Sequence, residues 1–195
     1  MAVICVFCAS SERISSHYID LAAAVGTELA RRGHTLVSGG GSVSCMGAVA
    51  RAARAGGART VGVIPEGLLA WEVADEAADE LVVTPNMRIR KGEMDRRAEA
   101  FLTLPGGLGT LEELLEIWVA RTLRMHDKPL VVLDPDGVFA PLRRQVDDLV
   151  ELGFARPSVH DALAWATGVG EAFDLLERHP SLLPPAAEEV LEAEP

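Results

Sequence analysis

The sequence predicts an α/β fold: a Rossmann-like, doubly wound parallel sheet with helices on both faces, in a single domain. Three observations lead there. Short apolar runs alternate with helical patterns along the chain, the order expected of strands joined by crossover helices. Runs such as Val3–Phe7 are apolar at nearly every position, as in strands buried on both faces. Two of the runs end in glycine loops that open helices, Gly39-Gly40-Gly41 and Gly106-Gly107-Leu108-Gly109. In open α/β sheets such loops at strand C-termini border the ligand crevice.

Taken in order, Val3–Phe7 is a strand ended by Ala9, Ser10 and Ser11. Residues 17–32 read as a helix with Leu21, Val25 and Leu29 on one face and Gly33 as its stop. Thr35–Ser38 is a strand, residues 45–54 a helix closed by Gly56 and Gly57, and residues 60–64 a strand ended by Pro65. Residues 66–79 read as loop with room for a short helix. A short strand at 81–83 and a helix at 87–99 follow. Residues 101–104 form a strand that stops at Pro105, and a helix opens at Thr110. There Leu111, Leu114, Leu115 and Trp118 make one apolar stripe. A strand at 129–133, a turn at Asp134-Pro135-Asp136-Gly137, a helix at 138–152, a strand at 163–166 and a helix at 171–178 complete the alternation. The domain is assigned to residues 1–179. Residues 180–195, proline-rich and acidic, read as a disordered tail of solvated charge.

Composition narrows the class. The 195 residues allow one domain with a substantial core, and 49% hydrophobic against 24% charged residues is a globular balance. A net charge of -11 is the wrong sign for a nucleic-acid partner. The first eight residues are apolar but lack a basic n-region. No apolar run approaches the roughly 20 residues of a membrane span, so the reading is a cytoplasmic protein without a membrane partner. Cys5 and Cys8 form a CxxC, but three residues apart on a strand they face opposite sides. With no second pair to complete a metal site, they and Cys45 read as buried thiols. No His/Cys/Asp cluster has ligand spacing, and no metal or cofactor is expected.

The chemistry concentrates in three segments. The first, residues 101–118, is a strand, a glycine turn and a helix N-terminus, whose N–H groups and dipole favour a bound anion. It also carries Glu112 and Glu113. Thr110-x-x-Glu113 fits a capping box, in which Thr110 caps the helix and Glu113 reaches back to it. The other reading is a carboxylate beside a phosphate ester, acting on its sugar. The second segment, Gly39 to Gly47 (GGGSVSCMG), fits the dinucleotide fingerprint only in part, because Ser44 stands where the third glycine belongs. The third, residues 86–97, gathers Arg88, Arg90, Lys91, Arg96 and Arg97. It reads either as a solvated helix face or as an anion grip, arginine being able to hold phosphate or carboxylate bidentately.

These segments together resemble the Lonely Guy (LOG) family, the cytokinin riboside 5′-monophosphate phosphoribohydrolases once labelled lysine decarboxylase-like. Its PGGxGTxxE signature is matched by Pro105 through Glu113, and its Met-x-x-Arg-Lys segment by Met87 through Lys91. The Gly39–Gly47 loop, VGVIP at 61–65 and HDKP at 126–129 extend the match. The resemblance implies hydrolysis of the N-glycosidic bond of a nucleoside 5′-monophosphate. It also implies a homodimer with its active site near the interface. Arg90 and Glu113 would be the catalytic pair. Substrate contacts would come from Glu72, Arg90, Lys91, Gly107, Leu108, Gly109, Thr110, Leu111, Glu112 and Glu113, with Gly40 and Gly41 from the other loop. Glu113, read in the helix's first turn, would be kept ionised by the dipole. Glu112, about 100° around the helix, would have a separate task. Ala9, Ser44 and Cys45 depart from the family pattern, which has glycine at the first two positions and leucine at the third.

Two other functions remain open at this point. A non-catalytic carrier of a nucleotide or of the molybdenum cofactor would bind without turnover. A decarboxylase would need a lysine in Schiff-base linkage to pyridoxal phosphate, and the chain has only Lys91 and Lys128.

Overall fold

The computed structural model describes residues 1–69 and 74–182. Seven parallel strands form one sheet: β1 (Val3–Phe7), β2 (Thr35–Ser38), β3 (Thr60–Pro65), β4 (Glu80–Thr84), β5 (Ala100–Thr103), β6 (Leu130–Leu133) and β7 (Ala164–Ala166), in the order β4-β3-β2-β1-β5-β6-β7. The chain winds outward from β1 to β4, then returns to β1's other side and winds outward again. β1 therefore pairs with both β2 and β5, with Phe7 opposite Thr103. That reversal is the doubly wound topology, and its switch point lies between β1 and β5.

Helices cover both faces, and the strands sort their side chains between them with period two. On one face Ile4, Val6, Leu102 and Val131 pack against α1 (Ser16–Arg31), α2 (Ser44–Ala55) and α6 (Val169–Glu177). On the other, Cys5, Phe7, Phe101 and Val132 meet α3 (Met87–Arg97), α4 (Leu108–Thr122) and α5 (Ala140–Glu151). Cys5 and Cys8 accordingly belong to opposite cores; all three cysteines are free and buried, and burial pushes the Cys5 and Cys8 thiols up.

Most predicted boundaries lie within two residues of those observed. Three differences matter. The helix read as opening at Thr110 begins at Leu108. Gly107, with extended backbone (φ -89°, ψ -158°), is its N-cap, and the Leu111 N–H already donates to the Gly107 carbonyl at 3.0 Å. Thr110 is then the third helical residue, and the capping box does not form. The buried face of α4 is Thr110, Leu114, Ile117 and Trp118, while Leu115 of the predicted stripe faces outward. Finally, the first residues assigned to the tail, Pro180–Leu182, form a 3-10 turn with Leu182 packed on the core. The rest of that tail and Glu72 lie outside the described residues.

Two backbone features bear on the site. Gly40 has φ +77°, and a Cβ there would press on Val63 and Ile64 at 3.1–3.2 Å, so only glycine fits. Ser44, where α2 begins, also adopts a left-handed conformation at φ +52°, which costs a residue with a Cβ about 1–2 kcal/mol.

Thr103 is fully buried in the central strand, and its hydroxyl is the one buried side-chain polar atom without a hydrogen-bond partner among the described residues. Thr103→Val is expected to raise stability by about 1 kcal/mol, since it removes an unsatisfied polar group at nearly constant shape. Urea unfolding checks this. A loss of stability would show that the hydroxyl is satisfied, for instance by a buried water.

Candidate active site

A cavity of about 490 Å³ opens at the C-terminal ends of β1 and β5, at the switch point. Three sets of residues line it. The connection after β5 contributes Pro105 to Thr110. The connection after β1 contributes Cys8 to Ser11, with Ile14 and Tyr18 beyond. Arg90 and Glu113 belong to the rest of the wall, with Met46, Met87 and Val138 among their neighbours on it.

Arg90 stands in the first turn of α3, whose start is fixed by Asn86: its side-chain oxygen accepts the Ile89 N–H at 3.0 Å. The guanidinium is buried and held on three sides. Nε donates to the Val63 carbonyl (2.9 Å), one terminal nitrogen to the Gly39 carbonyl (3.2 Å) and the other to Glu113 Oε1 (3.2 Å). Both side chains of this pair are shielded from solvent, at 7% and 11% exposure. Gly39 makes the arrangement possible, because a Cβ there would lie 2.0 Å from an Arg90 nitrogen. The first glycine loop thus seats an arginine. Sequence reasoning missed that role; the buried charge that demands it is 51 residues away.

Glu113 sits in the second turn of α4, beyond the reach of most of the terminal dipole, so the charge it faces is Arg90. Glu112, one residue earlier, points elsewhere and pairs with Lys91, which also bonds Glu116 at 2.6 Å. Those two carboxylates raise the Lys91 pKa. The two glutamates therefore engage different cations, as their angular separation on the helix requires.

The glycine turn after β5 divides by residue. Gly106 is required by packing: a Cβ would lie 2.2 Å from Thr110 Oγ1. At Gly107 and Gly109 a Cβ would meet nothing within 4 Å. Neither packing nor, at Gly107, backbone angle demands glycine, yet both residues border the cavity. No side chain caps α4. Its first-turn N–H groups, which no intrahelical carbonyl can reach, belong to the loop that faces the open space.

Of the sequence-predicted site residues, the structure gathers Arg90, Gly107, Leu108, Gly109, Thr110, Glu112 and Glu113 on the cavity wall. Lys91, Leu111, Gly40 and Gly41 are not among its lining residues. Lys91 cross-links α3 to α4, and Gly40 accepts the Asp75 N–H at 2.8 Å. Wall residues that sequence reasoning passed over include Ser10, Ser11, Tyr18, Met46, Leu68 and Val138. The available signal was the β1 strand end, which the strand-terminus rule marks as readily as the two glycine loops.

Residues 46–176 match the family described as "Possible lysine decarboxylase". A Mycobacterium marinum protein named cytokinin riboside 5′-monophosphate phosphoribohydrolase is 49% identical over 87% of this chain and 90% of its own length. An Arabidopsis thaliana protein of that name is 41% identical over 90% of this chain and 82% of its own. The chain belongs to the LOG family. The LOG fold also extends to more distant structures. The molybdenum cofactor binding protein of Rippkaea orientalis superposes with a TM-score of 0.69 over 90% of this chain and 95% of that one, at 20% identity.

The older decarboxylase description does not suit this cavity. Neither of the chain's two lysines lines it: Lys91 is paired as above, and Lys128 donates to Asp95 Oδ1 at 2.8 Å and lies over the Phe101 ring. Among the described residues, no three His, Cys, Asp or Glu side chains could hold a metal ion together.

The two kinds of glycine in the LOG turn should separate on substitution. Gly106→Ala is expected to lower stability by about 1–3 kcal/mol through overpacking against Thr110. Gly107→Ala should cost less, about 0.5–1 kcal/mol, because alanine meets no obstacle there and is only a poorer N-cap. Chemical denaturation of both variants reads the contrast, and equal losses would contradict it.

Proposed function

We propose that the chain hydrolyses the N-glycosidic bond of adenosine 5′-monophosphates, including N6-modified ones, releasing the free base and ribose 5-phosphate. The observation that carries the reading is the Arg90–Glu113 pair, set in the cavity wall beside the open N-terminus of α4. Its LOG relatives bear the name of this reaction over most of their length. The molybdenum-cofactor proteins share the fold at 20% identity, and a carrier of anions gains nothing from a buried carboxylate at its ligand.

Departure of the base builds positive charge on the ribose ring. A carboxylate beside C1′ stabilises that oxocarbenium-like state or takes the proton from the attacking water. Glu113 is assigned this role. Arg90, fixed by two carbonyls, has little freedom to move and holds the Glu113 carboxylate in orientation through a charge-assisted hydrogen bond. The 5′-phosphate is assigned to the Gly107–Thr110 amides, where the missing side chains of Gly107 and Gly109 let an anion approach the backbone. Apolar wall residues, among them Ile14, Met46 and Val138, suit the base and an apolar N6 substituent. Lys91 is assigned to the α3–α4 contact. We also place the protein in the cytoplasm, where its free thiols stay reduced; among the described residues, no helix is long and apolar enough to cross a membrane.

Incubation with AMP and with N6-isopentenyl-AMP, followed by chromatography of the bases, tests the reaction. Free base is expected from both, and Glu113→Gln should retain the fold while losing at least about 100-fold in rate, as when a transition-state group is removed. Adenosine should be cleaved far less efficiently than AMP, in kcat as well as KM, because binding energy from the phosphate holds C1′ against Glu113. Normal turnover by Glu113→Gln would overturn the assignment of that residue. Adenosine cleaved as well as AMP would overturn that of the glycine turn.

The partner proposed is a second copy of this chain. The outer face of α4 carries Leu108, Leu115, Val119 and Leu123 along one stripe, at 85%, 40%, 53% and 66% exposure. Met125 follows just beyond the helix end, also exposed. A contiguous apolar stripe of this kind marks an interaction surface. Leu108 also lines the cavity, so a partner seated there would border the active site. Light scattering on a sizing column should give twice the chain mass. Val119→Asp should give a monomer, and a monomeric parent protein would contradict the proposal.

A further inference from the structure

We propose that Ser44 is a positioning residue that fixes the β1–α1 wall of the cavity and thereby sets substrate affinity. The proposal rests on the phosphoribohydrolase reading for its kinetic consequence, but its structural basis is separate.

Ser44 is buried and holds a left-handed backbone conformation, φ +52°, at a position where glycine would be unstrained. What a serine supplies there and a glycine cannot is its hydroxyl. Oγ donates to the Ser11 carbonyl at 2.7 Å, across 33 residues of sequence. The next residue makes a parallel link, with the Cys45 thiol donating to the Tyr18 carbonyl at 3.3 Å. The first turn of α2 is thus tied once to the connection between β1 and α1, at Ser11, and once to the first turn of α1, at Tyr18.

That connection is a wall of the cavity. Ala9, Ser10, Ser11 and Ile14 line the cavity, with Tyr18 of α1 next to them and the glycine turn after β5 alongside. Residues 9–15 carry no strand or helix of their own, so tertiary links must hold them in place. The Ser44–Ser11 bond is one such link, and backbone strain at Ser44 is offset where the side chain does work on the site. A fixed wall favours ground and transition states alike, so its loss raises KM with little change in kcat.

The test compares the parent protein with Ser44→Gly and Ser44→Ala by melting temperature, AMP kinetics and amide hydrogen exchange of residues 9–15. Ser44→Gly relieves the strain and removes the hydroxyl. It is expected to melt at or above the parent temperature, yet to raise KM at least about threefold with kcat within about twofold. Its 9–15 amides should exchange at least about tenfold faster, because local opening is easier. Ser44→Ala keeps the strain and loses the bond, so it should melt lower with the same rise in KM. A merely structural role would leave KM and the exchange of this segment unchanged in Ser44→Gly, and that result overturns the proposal. If the parent protein releases no base, the phosphoribohydrolase reading fails, and exchange alone then judges the clip: faster in Ser44→Gly supports it, unchanged rejects it.

Discussion

A buried guanidinium constrains much of this molecule. Taking a charge out of water is tolerable only when each of its hydrogen-bonding directions meets a partner. Arg90 meets the Gly39 carbonyl past the end of β2, the Val63 carbonyl in β3 and the carboxylate of Glu113 on α4. These three partners lie far apart in sequence and come together only if the sheet, α3 and α4 are all in place. The same requirement excludes a side chain at residue 39. The glycine loop after β2, the entry of α3 and the rotation of α4 can be read as accommodations of one arginine.

From this follows a division of labour between two loops that look alike in sequence. After β2, Gly39 makes room for the arginine and Gly40 lets the loop pack on β3. The turn after β5 splits again, with Gly106 clearing Thr110 while Gly107 and Gly109 leave space beside the amides of α4. The Arg90–Glu113 pair is thus anchored from the protein side, and the edge at Gly107 and Gly109 is left open to the cavity. Between them the β1–α1 connection supplies a wall with no secondary structure of its own, tied to α2 by the Ser44 side chain. Rigid charge, open backbone and a clipped wall each limit motion around the cavity, which is the kind of preorganisation a reaction held there would draw on.

The fold was largely legible in the chain. Uninterrupted apolar runs such as Ile4–Phe7 admit little but a strand buried on both faces, and their alternation with helices selects the parallel sheet. The candidate site was legible where a local pattern carries its own physics, at the glycine turn that opens α4; that Arg90 would stand beside Glu113 came only from the family resemblance. It was not legible where a residue's role depends on a distant partner. Nothing near Gly39 announces Arg90. The capping pattern at Thr110 and Glu113 failed because Gly107 was already extended enough to start the helix, two residues early. That shift moved Glu113 out of the first turn, so its charge partner is a side chain rather than the dipole. Lys91, which the resemblance puts among the substrate contacts, pairs with Glu112 and Glu116 on the neighbouring helix, partners its own segment does not announce.

The most direct test of this account is a double-mutant cycle on the buried pair, using Arg90→Met, Glu113→Gln and the double variant, with unfolding free energies from urea titration. If each charge is held in place by the other, the single changes are not additive, and the cycle returns a coupling of about 1 kcal/mol or more. Losses that add, with no coupling, would mean that Arg90 is seated by its two carbonyls alone and that Glu113 is positioned independently of it.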